Sequence, residues 1–193
     1  MSILPFRREQ LPQYLRDNVF EGRSDIKMIE VGVYEGAYSS ICLEAFPSAE
    51  IYLVDNWDSS DTDFYYSRYS ADDFCSVDSA YGRARKRFEG RENVHFMRTK
   101  SDAAVEEFED GSVDWAYIDG DHSYDAALRD ISLYYKKIKP GGILSGHDWE
   151  VDPTLPEAHL FGIQQALTDF MADKLSTVDF TNEMFHKSWI VRK

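Results

Sequence analysis

The chain has 193 residues, 43% of them hydrophobic and 15% aromatic, enough to fill a sizeable core, which excludes a disordered chain and a disulfide-stapled mini-protein. Its net charge of −14 repels phosphate backbones and anionic lipid and argues against general nucleic-acid or membrane-surface binding. Two cysteines, Cys42 and Cys75, stand in no paired or metal-like spacing; with no signal peptide and no apolar span of ~20 residues, a cytoplasmic setting is expected.

Leu11, Tyr14, Leu15 and Val19 recur at three- and four-residue steps, predicting a short amphipathic helix within an N-terminal segment of residues 1–22. Five compact apolar runs follow: Ile26–Val31 ending at Gly32, Ile51–Val54 ending at Asp55, Val94–Met97, Val113–Ile118 ending at Asp119, and Gly142–Leu144 ending at Gly146-His147-Asp148. Such runs, bounded by Gly and Asp, mark strands buried on both faces. Helical stripes lie among them. Tyr124, Ala127, Leu128, Ile131, Tyr135 and Ile138 form one, closed by Lys139-Pro140-Gly141. Leu160, Ile163, Leu167, Phe170 and Met171 form another. Ser188-Trp189-Ile190-Val191 predicts a last strand, antiparallel at or near an edge. The expected fold class is α/β: a doubly wound, mostly parallel sheet with flanking helices, in one domain spanning residues 1–193.

The pattern breaks from Asp55 to Ala80, where seven Asp face one Arg (Arg68) among Trp57, Phe64, Tyr65, Tyr66, Tyr69 and Phe74. A strand-to-helix loop needs only about 2–6 residues. Residues 56–80 are therefore expected to form a lid-like insertion, with a plain surface excursion as the alternative.

Ligands of open α/β sheets bind beyond the carboxyl ends of the strands, so the residues there carry the functional signal. Gly32 and Gly36 predict a tight turn into a helix, open to a ligand or simply close-packed. Asp55 can accept both hydroxyls of a ribose, or cap a turn. Asp119, His147 and Asp148 offer oxygen and imidazole donors for a divalent ion; capping of a helix start is the plainer role for Asp121 and Ser123. His95, His159 and His186 stand alone and are expected to be surface or core residues, and Arg83, Arg85, Lys86, Arg87 and Arg91 a solvated helix face. The dinucleotide fingerprint, the Walker lysine motif, the G-x-S-x-G elbow and the H-E-x-x-H pair are all missing.

On E-V-G-V-Y-E-G-A-Y-S, V-D-N-W, Y-I-D-G-D-H-S-Y, K-P-G-G, G-H-D-W and F-G-I-Q-Q-A-L-T-D-F, the chain resembles the class I S-adenosylmethionine-dependent methyltransferases over roughly residues 26 to 171. Within them it is similar to the group of macrocin- and aminocoumarin-sugar O-methyltransferases and proteins labelled cephalosporin hydroxylase, of the methyltransferase family 24 type. The resemblance implies a Rossmann-like sheet. It places Glu30, Gly32, Gly36 and Ser39 at the methionine part of the cofactor, Asp55 at the ribose, and Ser101 and Asp102 near adenine. Asp119, counted with the cofactor residues as well, matches with His147 and Asp148 the family's Mg²⁺ ligand positions; Asp121 and His122 match positions of a catalytic base.

Methyl transfer from a sulfonium needs an aligned nucleophile and removal of its proton. The resemblance thus implies Mg²⁺-assisted O-methylation of a hydroxyl on a small molecule, a sugar or glycan being the acceptor class that an acidic, aromatic lid favours. His122 has the better-placed ordinary pKa, while Asp121 beside a metal would be too acidic unless desolvated; the two remain alternatives. Metal-independent N- or O-transfer, a non-catalytic cofactor-binding module and, more remotely, a nicotinamide dehydrogenase also stay open. The chain barely exceeds a catalytic core, which leaves room for a homo-oligomer to complete the acceptor site.

Overall fold

Alternation of side chains along the central strands divides the protein into two apolar layers around one sheet. In the computed structural model, which describes residues 1–58, 77–156 and 158–193, the elements in chain order are β1 (Ser2–Ile3), α1 (Leu11–Asn18), β2 (Lys27–Val31), α2 (Ala37–Ala45), β3 (Glu50–Asp55), α3 (Val77–Arg87), β4 (Val94–Arg98), α4 (Ser101–Ala104), β5 (Val113–Ile118), α5 (Tyr124–Lys137), β6 (Ile138–Trp149), α6 (Ile163–Met171), β7 (Asp179–Phe180) and β8 (Lys187–Arg192). The eight strands run in the order β1-β7-β8-β6-β5-β2-β3-β4. Strands β2 to β6 are mutually parallel, and β8 lies antiparallel between β6 and β7.

Met28, Ile51, Leu53, Trp115 and Tyr117 face one layer, packed by Leu11, Leu15, Tyr38, Cys42, Phe46, Ala84 and Phe88 from α1, α2, α3 and their flanks. Ile29, Val31, Ala116, Ile118 and Leu144 face the other, filled by Ala127, Ile131, Ile163, Ala166 and Leu167 from α5 and α6. A sheet covered on both sides needs apolar residues at successive positions, which is why these strands read as continuous runs. Burial of Cys42 agrees with its reading as a small hydrophobe.

All five apolar runs form strands, and the final strand is antiparallel near one edge as expected. The fifth run begins four residues earlier than its apolar stretch, at Ile138. Ile138 pairs with Val113, and a register shift before Trp115 and Ile143 absorbs the Pro140-Gly141-Gly142 segment. Strands β1 and β7, of two residues each, lie below what a sequence pattern can register. They anchor the N-terminal segment to the far edge of the sheet, where Ser2 pairs with Asp179. Most of the expected lid, residues 59–76, lies outside the described residues, as does Cys75. Among the described residues no helix is long and apolar enough to cross a membrane.

Candidate active site

Strands β2, β5 and β6 are neighbours, so their carboxyl ends open on a common rim. Between β2 and α2 the chain turns through Gly32 and Gly36, both left-handed, at φ +85° and +73°. A Cβ on Gly32 would lie 2.0 Å from the Asp119 carbonyl oxygen, so this glycine lets the ends of β2 and β5 close on each other. The close-packed reading of Gly32 therefore holds in the geometry.

Asp55, at the end of β3, ties the same turn down. Its Oδ2 accepts the amides of Val33 and Tyr34, each at 2.9 Å, and its Oδ1 accepts the Trp57 amide at 2.9 Å. Burial raises the Asp55 pKa against the pull of these three donors. A turn cap is thus what Asp55 provides within the chain itself.

Strand parity points Glu30 and Asp119 toward the layer of α1 and α2. Glu30 is fully buried and accepts the hydroxyl of Ser39, itself wholly buried in α2. Burial pushes the Glu30 pKa up to about 8, although the Ser39 hydrogen bond and the Arg8 charge pull it down. Ser39 thus supports Glu30 from beneath.

Arg8 completes this corner. Its Nη2 donates to Asp119 Oδ2 at 2.6 Å, and its guanidinium carbon lies 4.4 Å from the Tyr38 ring centre and 5.3 Å from that of Tyr117. Its Nε is buried with no hydrogen-bond partner. Burial disfavours the charge, but Tyr117, Asp119, Tyr38 and Glu30 outweigh it and raise the Arg8 pKa. Arg8 arrives on a strap hung from the edge of the sheet: the Leu4 amide donates to the Phe180 carbonyl at 2.7 Å, the Asn182 amide to the Phe6 carbonyl at 2.9 Å, and the Arg8 amide to the Glu183 carboxylate.

On the β6 side, Asp119, His122 and Asp148 place one donor atom each within 4.8 Å of one another. His122 Nε2 lies 2.7 Å from Asp148 Oδ2 and 3.8 Å from Asp119 Oδ1. His147 Nδ1 lies 3.3 Å from Asp148 Oδ1 and 3.7 Å from Asp119 Oδ1. His186 Nδ1 closes on Asp148 Oδ1 at 2.6 Å. His147 thus approaches both carboxylates, but the donor atoms that fall within 4.8 Å of one another are those of Asp119, His122 and Asp148, so His122 takes the place expected of His147. The reading of His186 as a solitary residue is corrected, because the β7–β8 connection carries it to the end of β6, where its amide donates to the Glu150 carbonyl at 2.9 Å.

Burial lowers the His122 pKa, but hydrogen bonds to Asp119 and Asp148 dominate and push it up to about 10. The expectation of a near-neutral histidine at this position is corrected: as the chain stands, the imidazole is charged. Burial would raise Asp148, yet three histidines around it hold its carboxyl far below the usual range. Phe161 walls the cluster, its ring centre 4.7 Å from that of His122 and 6.1 Å from that of His186. A cavity of about 200 Å³ opens beside Asp148, bounded by Phe161, Gln164, Glu150 and Val151.

Asp121 stands outside the cluster. It is exposed, and its Oδ1 accepts the Ser123 amide at 2.8 Å at the start of α5, the capping role weighed for it. Ser101 and Asp102 open α4 beyond β4. The Ser101 hydroxyl donates to Asp130 Oδ1 at 2.7 Å, Asp102 is exposed, and burial pushes the Asp130 pKa up to about 6. His95 pairs with Glu50 at 2.5 Å, and His159 Nδ1 meets the Pro156 carbonyl at 2.9 Å, both away from the rim.

The donor chemistry suits Mg²⁺ poorly. That ion demands near-octahedral oxygen ligands and retains waters, whereas three imidazoles here crowd one carboxylate. Sequence reasoning missed Arg8, His186 and the ring platform of Tyr38 and Tyr117. Nothing local in the sequence marks Arg8, one arginine of the pair Arg7-Arg8 before a predicted helix.

Comparisons with known proteins agree with this geometry. Residues 29–149 match a family described as Methyltransferase domain, a span that contains both the glycine turn and the His147-Asp148 pair. A relative from Acanthamoeba polyphaga mimivirus, uncharacterized protein R132, is 22% identical over 166 residues, covering 84% of this chain and 68% of its own. Among solved structures, a caffeoyl-CoA O-methyltransferase-like protein from Staphylococcus aureus superposes with a TM-score of 0.65 at 11% identity, covering 96% of this chain and 82% of that one. A SAM-dependent methyltransferase from Aquifex aeolicus gives 0.59 at 12% identity, with 96% and 93% covered. The 1,6-didemethyltoxoflavin-N1-methyltransferase of Burkholderia thailandensis, solved with S-adenosylhomocysteine, gives 0.57 at 14% identity, with 97% and 79% covered. The chain belongs to the methyltransferase domain family, of the family 24 type, within the class I S-adenosylmethionine-dependent methyltransferases.

Proposed function

We propose that the protein methylates a hydroxyl oxygen of a small molecule seated in the cavity beside Asp148, in a cytoplasmic setting. One observation carries the reading. Asp119 turns Oδ2 to Arg8, on the glycine-turn side, and Oδ1 to His122 and His147, on the cavity side. Asp148, which lines the cavity, meets the same two imidazoles, so the donor corner and the cavity lie on either side of one carboxylate–imidazole network, which suits in-line transfer between them.

The residues on the donor side fit S-adenosylmethionine. The unpartnered, buried Nε of Arg8 leaves a charged donor for the amino-acid carboxylate. Asp119 supplies negative charge for the ammonium, with the protonated Glu30 carboxyl as a neutral polar group, the lone pair that three backbone amides leave on Asp55 serves the ribose, and Ser101 and Asp102 border the adenine. When bound, the cofactor supplies an activated methyl group. The protein's remaining tasks are to align the acceptor and take its proton.

We assign the proton to the Asp119–His122–Asp148 cluster: His122, held protonated by the two carboxylates up to about pH 10, serves as the base only in its deprotonated form, so transfer is expected to quicken as the pH rises toward that value. Asp121 is the weaker candidate, since it is exposed and one of its oxygens is spent on Ser123. Because the donor set does not suit Mg²⁺, no step is assigned to that ion. Sugars and other polyols remain the favoured acceptors on charge grounds, the chain carrying −14 overall. Calorimetry with S-adenosylhomocysteine, followed by transfer assays over sugar, catechol and amine acceptors, tests the reading. Binding plus transfer to hydroxyls alone supports it; transfer to amines alone overturns the O-methylation assignment.

A further inference from the structure

We infer that Glu183 is a positioning residue for Arg8, and that through it the donor pocket selects a ligand carrying an amino-acid carboxylate over the bare nucleoside. The inference deepens the reading of Arg8 as the partner of that carboxylate and rests on it. Glu183 lies 175 positions from Arg8, in the β7–β8 connection, and its Oε1 accepts the Arg8 amide. Arg7 makes no side-chain hydrogen bond to the amides of the turn Arg8–Gln10, so the first of them needs an acceptor from elsewhere in the fold. Glu183 supplies it.

The contact falls on the strap residue whose side chain reaches Asp119. Backbone hydrogen bonds already hold the strap at Leu4 and Phe6, through the Phe180 carbonyl and the Asn182 amide, and neither reaches Arg8. With Glu183 in place, Arg8 is pinned at both ends. Its amide is tied to the C-terminal hairpin and its Nη2 to Asp119 at 2.6 Å, with the Tyr38 and Tyr117 rings against the guanidinium. A loose arginine loses backbone and rotamer freedom when it grips a ligand, and one already ordered is spared most of that cost. Three buried polar atoms of this assembly have no hydrogen-bond partner: Arg8 Nε, the Tyr38 hydroxyl and Glu183 Oε2. Buried polar groups are ordinarily paired, so this grouping marks a pocket shaped for a polar guest rather than a finished structural joint. Released from Glu183, the strap would still pair with the edge of the sheet but present its guanidinium less firmly.

The test compares S-adenosylhomocysteine with 5′-methylthioadenosine, which keeps the adenosine and the thioether but lacks the amino-acid carboxylate. Calorimetry on the full chain gives both affinities. Glu183→Ala should weaken S-adenosylhomocysteine about fivefold and leave 5′-methylthioadenosine unchanged. In an Arg8→Ala background the same change should cost nothing further, since the two residues act through one contact. Glu183→Gln keeps an oxygen acceptor for the amide and should bind like the parent. Met184→Ala, at a neighbouring side chain that is 80% exposed, is the unaffected control. Equal loss for both ligands, an unchanged affinity in Glu183→Ala, or the same loss with and without Arg8 overturns the inference. Retained 5′-methylthioadenosine binding shows that the variant is folded; should Glu183→Ala not fold, Glu183→Ser, too short to reach the strap, is read in the same way. A parent chain that binds the two ligands alike would remove the carboxylate reading of Arg8 itself. A parent that discriminates, beside a Glu183→Ala variant that discriminates equally well, would remove Glu183 alone.

Discussion

Arg8 and Asp119 meet at 2.6 Å across 111 positions of sequence, and this contact joins the N-terminal strap to the centre of the sheet. The guanidinium is sandwiched by chemistry rather than by one bond: a carboxylate at its edge, the Tyr38 and Tyr117 rings against its plane, and a buried Nε still to be paired. Arginine suits such a place because a planar fork can stack and donate together, which an ammonium cannot.

Replacing Arg8 by Ala is therefore expected to weaken S-adenosylhomocysteine binding by about 10- to 100-fold, the range of a charge-assisted hydrogen bond worth about 1.5–3 kcal/mol. Arg8→Lys should keep part of the affinity, since it restores charge without the fork. Isothermal titration measures both. Equal affinity in all three proteins would remove Arg8 from the donor pocket.

Glu30 gives the pH prediction. Its carboxyl moves from 4.5 to about 8 on folding, so the native chain holds a proton that the unfolded chain releases. The stabilisation is complete below about pH 4.5 and is lost progressively as the pH rises to about 8. Glu30→Gln, which cannot ionise, should flatten the fall in Tm over this window. The comparison with the variant matters because Asp130 and His122 shift in the same direction. An unchanged slope in Glu30→Gln would show that Glu30 is already ionised in the folded protein.

At Gly32 the expected effect is on folding. An added Cβ would stand 2.0 Å from the Asp119 carbonyl oxygen at a left-handed φ, so backbone must move. Gly32→Ala should cost more than about 3 kcal/mol in urea unfolding, through strain and displaced backbone together. A loss under about 1 kcal/mol would mean that β5 is free to move away from the turn.

His122→Ala and Asp121→Asn separate the two base candidates. Loss of a proton-transfer group lowers kcat by about 10²–10⁴-fold, and that loss is expected for His122→Ala with S-adenosylhomocysteine affinity kept. Asn caps a helix start as well as Asp does, so Asp121→Asn should stay within about threefold of the parent rate. The reverse pattern in a steady-state transfer assay would return the role to Asp121.

Local pattern carried much of this protein. The buried strands declared themselves because a sheet covered on both faces needs unbroken apolar runs, whereas α5 ends at Lys137, and Ile138, read into its stripe, opens β6 together with the expected stop Lys139-Pro140-Gly141. Gly32, Asp55, Asp119, His147 and Asp148 were legible as strand-end residues, since a parallel α/β sheet gathers those ends on one rim. Residues 59–76, read as most of a lid, lie outside the described structure.

What the amino-acid sequence determined by itself was therefore the α/β class, the rim and five of its residues, all fixed by short-range periodicity and by the breaks in it. Only tertiary structure decided that Arg8 and His186 join them. Both depend on the two-residue strand β7 and its neighbours, where Ser2 pairs with Asp179 and Phe180 with Trp189. Pairings so short leave no repeat for a pattern to show, and their partners are distant in the chain. Long-range contact, not local preference, turned a strap arginine and a hairpin histidine into neighbours of one carboxylate pair.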